Sequence, residues 1–225
     1  MAREKIKTIL SKEQEDFLNL FSEEKTLIKR FYLTGGTALA EFYLKHRYSE
    51  DLDFFNEEEF SLLPLQAFVK KAEKYLRAEK VEYQNFLGLH TFLFYLKENG
   101  KLKVDFNFYP FPRILKGLNF KHVIIDSDYD IAVNKVHTLF MKPRSRDYVD
   151  LYFIMRAYNY SLDKLILDAK AKFDWDIDRV TLASQFTRVK DFKDMPVMLK
   201  PFNRKKMEDF FLALAKQLEN KIFKD

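Results

Sequence analysis

The prevailing spacing of apolar residues changes close to Pro110 and Pro112, from strand segments mixed with some helices to helices alone. Before the two prolines, apolar and polar residues alternate in short segments, which predicts strands. After them, apolar residues recur every three or four positions, which predicts helices. A strand-rich half followed by a helical half favours an α+β core with an appended helical subdomain. We therefore expect a strand-rich core at 1–115 and a helical subdomain at 116–225.

The same patterns give positions for the individual elements. Before the prolines we expect helical segments within 11–30, at 37–46 and at 62–79, and strands at 31–34, 51–55, 81–87, 91–97 and 101–109. The turn at 98–100 should join the last two strands as a hairpin. After the prolines we expect helices at 128–141, 146–158, 161–173, 177–187 and 203–221.

Several classes of protein are excluded by features that the sequence lacks. The chain has no Cys, which excludes disulfide scaffolds, thiol nucleophiles and thiolate zinc sites, and its four His are too scattered to predict a zinc cluster. It has no apolar run of about 18 residues, so no transmembrane helix and no membrane partner are expected. The N-terminal segment is charged and lacks the apolar core of a signal peptide. These features predict a cytoplasmic protein.

The charge is uneven along the chain. Residues 1–110 carry 17 Lys and Arg against 18 Asp and Glu, whereas residues 111–225 carry 22 against 16. The basic residues of the second half include two short clusters: Lys142, Arg144 and Arg146, and then Arg204, Lys205 and Lys206. A basic surface attracts polyanions such as RNA, but an ordinary solvated surface has a similar composition. Both interpretations stay open.

Two adjacent glycines lie between the first predicted strand and the helix after it, in the segment Thr34-Gly35-Gly36-Thr37. Glycine lets the backbone approach a ligand closely, and a helix N-terminus presents free N–H groups to a phosphate. The hydroxyl of Thr37 is a further candidate donor. The segment therefore predicts a phosphate site, with a plain tight turn as the alternative.

Three carboxylates fall on predicted strands. Strand alternation places Asp51 and Asp53 on one face of 51–55 and the apolar residues of that strand on the other. Neighbouring carboxylates repel each other, and a hard cation such as Mg²⁺ relieves the repulsion. Asp105 likewise lies opposite the apolar face of its strand, and it becomes a third ligand if the two strands are neighbours. Solvated polar faces on both strands are the alternative.

Charged residues also lie on otherwise apolar faces of two predicted helices. Lys135 falls within the apolar stripe of 128–141, and Asp147 and Asp150 lie on the apolar side of 146–158. A charge in such a position needs a partner or a ligand. The pattern predicts either a buried Lys135–Asp150 ion pair between the helices or charged groups that reach into a cleft. For Asp147, stabilisation of the helix N-terminus is a further alternative.

These segments together resemble a known family. A Gly-Gly turn, an Asp-x-Asp strand and a single Asp on a later strand are typical of the nucleotidyltransferase superfold. More closely, the segments 35–40 (GGTALA) and 46–55 (HRYSEDLDFF) look like the AbiEii/AbiGii-type nucleotidyltransferases. That family includes toxins of type IV toxin–antitoxin and abortive-infection systems and is related to the MenT toxins. Its later pattern, a helical Lys followed by an (R/K)DxxDL segment, resembles Lys135 and 146–151.

The resemblance implies a nucleotidyltransferase-like mixed-sheet core, followed by a helical subdomain that completes the active-site cleft. It also implies roles for the candidate residues: NTP phosphate binding by Gly35, Gly36 and Thr37, binding of Mg²⁺ or Mn²⁺ by Asp51, Asp53 and Asp105, a phosphate contact by Lys135, and an active-site acid at Asp150. The implied activity moves a nucleoside monophosphate from an NTP to an acceptor, with tRNA or another RNA as a candidate acceptor and an antitoxin as a candidate partner. A non-catalytic nucleotide- or protein-binding module and an antibiotic adenylyltransferase are the alternatives.

Overall fold

The computed structural model describes residues 8–222, so the outermost residues of both predicted domains, 1–7 and 223–225, lie outside the described residues. The chain divides into two compact units, Met1–Ser127 and Asp128–Asp225. The sheet belongs to the first unit, and the long helices of the second follow it in sequence. The predicted α+β fold is therefore confirmed.

The first unit is built on a mixed sheet. Its elements are, in chain order, α1 (Lys12–Phe21), β1 (Tyr32–Thr34), α2 (Gly35–Ala38), a π-helix (Leu39–Leu44), β2 (Asp51–Asn56), α3 (Leu62–Tyr75), β3 (Lys80–Phe86), β4 (Leu89–Tyr95), a 3-10 turn (Lys97–Asn99), β5 (Lys101–Phe108), β6 (Asn119–Phe120) and β7 (Val123–Ile125). The described strands form one seven-stranded sheet in the order β3-β4-β5-β2-β1-β7-β6. β2 runs parallel to β5 and β1 parallel to β7, while the other neighbours are antiparallel. Because β6 and β7 join this sheet, the first unit continues to Ser127, beyond the boundary expected at 115.

The centre of the sheet has one apolar and one polar face. Phe54 of β2 stacks on Phe106 of β5 with ring centroids 5.0 Å apart. Phe21 of α1 lies against both rings, with centroid distances of 4.4 Å and 6.0 Å. Successive side chains of a strand point to opposite faces, so Asp51 and Asp53 lie on the face away from these rings. The buried aromatic layer thus fixes the register of β2 and the side on which the carboxylates lie.

Two helices of the first unit differ from their predicted form. The helix expected at 37–46 becomes a π-helix over Leu39–Leu44. The helix expected at 62–79 ends at Tyr75, shortly before Arg77 adopts a φ of 53°. A left-handed residue ends helical hydrogen bonding, and Arg is not a residue type that a sequence pattern associates with this conformation. The apolar periodicity therefore predicts the helix but not its last turn.

The second unit is helical where it is described. Its helices are α4 (Asp128–Met141), α5 (Ser145–Tyr158), α6 (Leu162–Phe173), α7 (Arg179–Thr187) and α8 (Arg204–Ile222). Each begins and ends within two residues of its predicted position. Its core includes the fully buried rings of Tyr148, Phe186 and Phe211. None of the helices described in either unit combines the length and the apolar character needed to cross a bilayer.

Candidate active site

A row of polar side chains crosses the polar face of the sheet. Asp105 of β5 lies between Asp53 of β2 and Thr91 of β4, its partners in the register. Thr34 of β1 pairs with Asp53 from the other side. Paired residues on neighbouring strands point to the same face, and Asp51, two positions before Asp53, shares it. The structure therefore brings together the three carboxylates that the sequence predicts as metal ligands.

Asp105 is the buried member of this row. Its exposed fraction is 5%, whereas Asp51 and Asp53 are partly exposed. Its Oδ1 accepts a hydrogen bond of 2.6 Å from the hydroxyl of Thr91, and its Oδ2 accepts one of 2.7 Å from the ammonium of Lys103. With both oxygens bonded, the carboxylate is held in one orientation before any ligand arrives.

Lys103 introduces a positive charge among the carboxylates. It pairs with Asp51 in the register, and its Nζ lies 3.5 Å from Oδ2 of that residue. Burial by itself lowers the pKa of Lys103, but the hydrogen bond to Asp105 and the charges of Asp105, Asp51 and Asp53 outweigh burial and raise the pKa above its usual value. The side chain is therefore an ammonium at neutral pH, and it offsets part of the carboxylate charge. Alternation along the strand already places Lys103 on the same face as Asp105, so the sequence predicts that Lys103 lies near this carboxylate.

The glycine turn lies directly against the carboxylates. Gly35 has a φ of 74°, and a Cβ built on it would lie 2.3 Å from Oδ2 of Asp53. A Cβ on Gly36 would lie 2.3 Å from Nη2 of Arg47. The left-handed φ and the contact with Asp53 make position 35 require glycine, whereas a side chain at position 36 would force the end of the Arg47 side chain to move. The turn backbone therefore passes close to a carboxylate and to a guanidinium.

Thr37 ties this turn to the acidic strand. Its side chain is fully buried, and its hydroxyl donates a hydrogen bond to the backbone carbonyl of Asp51. The hydroxyl hydrogen is thus used within the protein. Contact between this hydroxyl and an NTP phosphate stays a prediction.

Asp126 extends the polar row to β7, and sequence reasoning missed it. The residue is fully buried, and its Oδ2 accepts a hydrogen bond of 2.6 Å from the hydroxyl of Thr34. Its Oδ1 accepts a second bond, of 3.1 Å, from the backbone N–H of Ser127. It follows β7, a strand of only three residues that shows no readable alternation. Asp126 therefore fixes the side chain of Thr34, the residue that precedes the glycine turn.

Within the helical unit, Lys135 forms a buried ion cluster with two carboxylates. Its Nζ lies 2.7 Å from Oδ1 of Asp147 and 2.8 Å from Oδ2 of Asp150, and neither carboxylate side chain is exposed. Oδ2 of Asp147 also accepts hydrogen bonds from the backbone N–H and the guanidinium of Arg144. Burial raises the pKa of Asp147, but the charges of Lys135 and Arg144 outweigh burial and hold the pKa below its usual value. The cluster ties α4 to α5, and Asp147 takes part in it as well as in the start of α5.

The sequence matches the family described as "Nucleotidyl transferase AbiEii toxin, Type IV TA system" over residues 19–222. The chain belongs to the AbiEii family. It is therefore a nucleotidyltransferase, and the family predicted from the glycine turn and the acidic strand is confirmed.

One relative and two solved structures match most of the length of this AbiEii nucleotidyltransferase. The uncharacterized protein aq_aa25 of Aquifex aeolicus is 30% identical over 196 residues, which are 84% of this chain and 89% of the relative. The crystal structure of JHP933 from Helicobacter pylori superposes with a TM-score of 0.59 at 18% identity and covers 96% of this chain and 95% of that one. A candidate nucleotidyltransferase from H. pylori has the same TM-score at 20% identity, over 96% of this chain and 98% of its own. At such identities the two structures establish a shared fold.

The polar face of this AbiEii nucleotidyltransferase has the donor chemistry that a divalent cation requires. Asp51, Asp53 and Asp105 supply carboxylate oxygens, which Mg²⁺ and Mn²⁺ prefer. Within residues 8–222, however, no three or more His, Asp or Glu side chains already have metal-binding geometry. The cation in contact with Asp51 and Asp105 is the ammonium of Lys103. The carboxylates thus fit a divalent metal by their chemistry, in an arrangement organised around a lysine.

The basic cluster at the start of α8 is partly neutralised within its own helix. Nε of Arg204 lies 2.7 Å from Glu208, and Lys205 is bonded to Asp209. Both acids lie one helical turn after their partners. This cluster therefore contributes less positive surface than the sequence count suggests.

Proposed function

We propose that this AbiEii nucleotidyltransferase acts in the cytoplasm and transfers a nucleoside monophosphate from an NTP to RNA, using Mg²⁺ or Mn²⁺ bound by Asp51, Asp53 and Asp105. The observation that carries the proposal is the pairing of Asp53 with Asp105 directly beside Gly35. This arrangement sets acidic metal ligands next to a glycine turn at the start of a helix, where backbone N–H groups favour phosphates.

The proposed reaction is an in-line displacement at the α-phosphorus of the NTP. The acceptor oxygen forms a bond to this phosphorus, and the bond to the departing pyrophosphate breaks. Divalent metal bound by the three carboxylates would supply positive charge to the attacking and leaving oxygens. The residues of the chain would bind and orient: Thr91 holds Asp105, and glycine at position 35 lets the backbone of the turn lie against Asp53. Catalysis would then rest mainly on positioning.

For Lys135 and Asp150 the buried ion cluster supports a structural role first. The ammonium bonds two carboxylates and its side chain is only 10% exposed. The roles that the family resemblance implies, a phosphate contact and an active-site acid, are the second candidate. These two roles differ in whether stability or rate suffers when the charge is removed.

RNA as acceptor and an antitoxin as partner are the finer parts of the proposal. The family description supports a toxin of a type IV system. The 22 Lys and Arg against 16 Asp and Glu in 111–225 support a polyanionic acceptor. A role in abortive infection is a further part of the proposal, and its support is the resemblance of the sequence motifs.

The transferred group and the acceptor are tested together with NTPs labelled at either the α- or the γ-phosphorus. The protein, incubated with total RNA and Mg²⁺, should move the α label into RNA and leave the γ label in released pyrophosphate. EDTA should stop the transfer.

RNA affinity, measured by filter binding, should fall with salt at a log–log slope of about −0.7 per phosphate contact for single strands.

Each alternative outcome has its own meaning. A γ label in RNA would indicate phosphoryl transfer and would contradict the proposed reaction. An α label found only in protein or in a small molecule would replace RNA as the acceptor. RNA affinity that does not change with salt would remove the proposed role of the basic half.

A further inference from the structure

Lys103 is a counter-ion of Asp51 and Asp105 in this structure. Its Nζ is 2.7 Å from Oδ2 of Asp105 and 3.5 Å from Oδ2 of Asp51. Asp53 pairs with Asp105 on the same face of the sheet. Two of the three proposed metal ligands therefore share a cation that belongs to the protein.

We propose that Lys103 is an exchangeable counter-ion, which offsets part of the charge of the carboxylates when no metal is bound and is displaced when a divalent cation binds. The inference rests on the proposed metal site at Asp51, Asp53 and Asp105. An ammonium and a divalent cation that compete for the same oxygens repel each other strongly in a half-buried site. Binding of the metal therefore breaks the bond between Lys103 and Asp105.

The geometry permits this exchange without a change in the backbone. The side chain of Lys103 is 38% exposed, whereas that of Asp105 is 8% exposed. A lysine ammonium is carried on a flexible four-carbon stem, so it can turn outward into solvent. Asp105 keeps its hydrogen bond from Thr91 after the lysine leaves. One side chain moves, and the buried ligand stays oriented.

Removal of the Lys103 charge should therefore raise the affinity for Mn²⁺ by about tenfold or more. A cation within about 4–6 Å typically changes the proton affinity of a carboxylate by about 1–3 pKa units, and a competing metal ion meets an effect of the same kind. The direction of the change in Mn²⁺ affinity distinguishes two roles of Lys103. If Lys103 is displaced by the metal, its removal raises the affinity; if Lys103 helps to assemble the metal site, its removal lowers the affinity.

The experiment measures Mn²⁺ binding to the full chain by calorimetry, without nucleotide. Wild type is compared with Lys103→Met and with Lys103→Gln, which keeps a hydrogen-bond donor for Asp105 and protects against loss of folding. Lys101→Met is the matched control, because Lys101 precedes Lys103 by two residues on the same strand, is exposed, and lies over the ring of Tyr95 at 5.3 Å. Both Lys103 variants should bind Mn²⁺ about tenfold more tightly or better, and Lys101→Met should bind like wild type.

Three results would overturn the exchange, and they differ in what else they remove. In the first, both Lys103 variants bind Mn²⁺ as tightly as wild type or less tightly, and Asp53→Asn abolishes binding. This result would overturn the exchange but would support the metal site. In the second, Lys101→Met gains as much affinity for Mn²⁺ as the Lys103 variants. This result would attribute the gain to the lower net charge of the protein. If no variant binds Mn²⁺, or if Asp53→Asn leaves binding unchanged, the proposed metal site fails and the exchange fails with it.

Discussion

An Asp53→Asn variant is expected to lose nucleotidyl transfer by about 10²- to 10³-fold and to keep its fold. Asp53 pairs with Asp105 on one side, and its carboxylate lies against Gly35. The amide has nearly the same shape but lacks the charge that a divalent cation needs. The rate is measured with an α-labelled NTP and saturating Mg²⁺, and the fold is checked by circular dichroism and thermal unfolding.

The control for this variant is Asp16→Asn. Asp16 is bonded to Lys12 on α1, in an ion pair of 2.5 Å on the surface. Its loss should leave the rate unchanged, since Asp16 lies on α1 and not on the strands that carry the three carboxylates. Wild-type transfer by a folded Asp53→Asn protein would show that the reaction does not depend on this carboxylate.

Replacement of Lys135 by Met is expected to lower the free energy of unfolding by about 3–5 kcal/mol. The substitution removes the ammonium that bonds Asp147 and Asp150, while both carboxylates stay buried. A buried carboxylate that loses its cation pays a desolvation cost without compensation. The loss is measured by urea unfolding at neutral pH, and a loss below about 1 kcal/mol, the range of surface pairs, would contradict it.

A second buried lysine of the same unit provides the comparison for rate. Lys172 lies 2.8 Å from Asp130, and the two side chains are 1% and 0% exposed. Lys172→Met should lose a similar amount of stability. Transfer is then measured at a temperature where both variants are folded. A slow Lys135→Met beside a normal Lys172→Met would support the nucleotide contact that the family resemblance implies, and normal rates in both would support a structural role alone.

The elements with strong periodicity are those that the sequence predicts well. Helix α4 spans 128–141 as expected, because its apolar stripe is long and its ends are clear. The face of Asp51 and Asp53 is predictable because Phe54 must be buried, and one buried face fixes the other. The sequence predicts that Asp53 and Asp105 lie close together only if their strands are neighbours. In the structure β2 and β5 are neighbours, and the two residues pair.

The contacts that escape prediction join residues far apart in sequence or short elements. Thr34 and Asp126 are 92 positions apart, and the strand before Asp126 has three residues. Alternation places Lys103 on the correct face of its strand. It does not predict which carboxylates the ammonium contacts, because the four-carbon side chain is flexible. For Asp147 the sequence left open a role at the start of the helix and a bond to a partner, and only tertiary packing reveals the bond to Lys135.

The central claim is that the three carboxylates bind the metal used in nucleotidyl transfer. It is tested most directly by a crystal structure of the full chain with Mn²⁺ and a non-hydrolysable NTP analogue, with the manganese located by its anomalous scattering. We expect an anomalous peak coordinated by Asp51, Asp53 and Asp105, with the phosphates of the analogue beside Gly35 and Gly36. A peak coordinated by other residues, or an analogue bound away from the glycine turn, would contradict the claim.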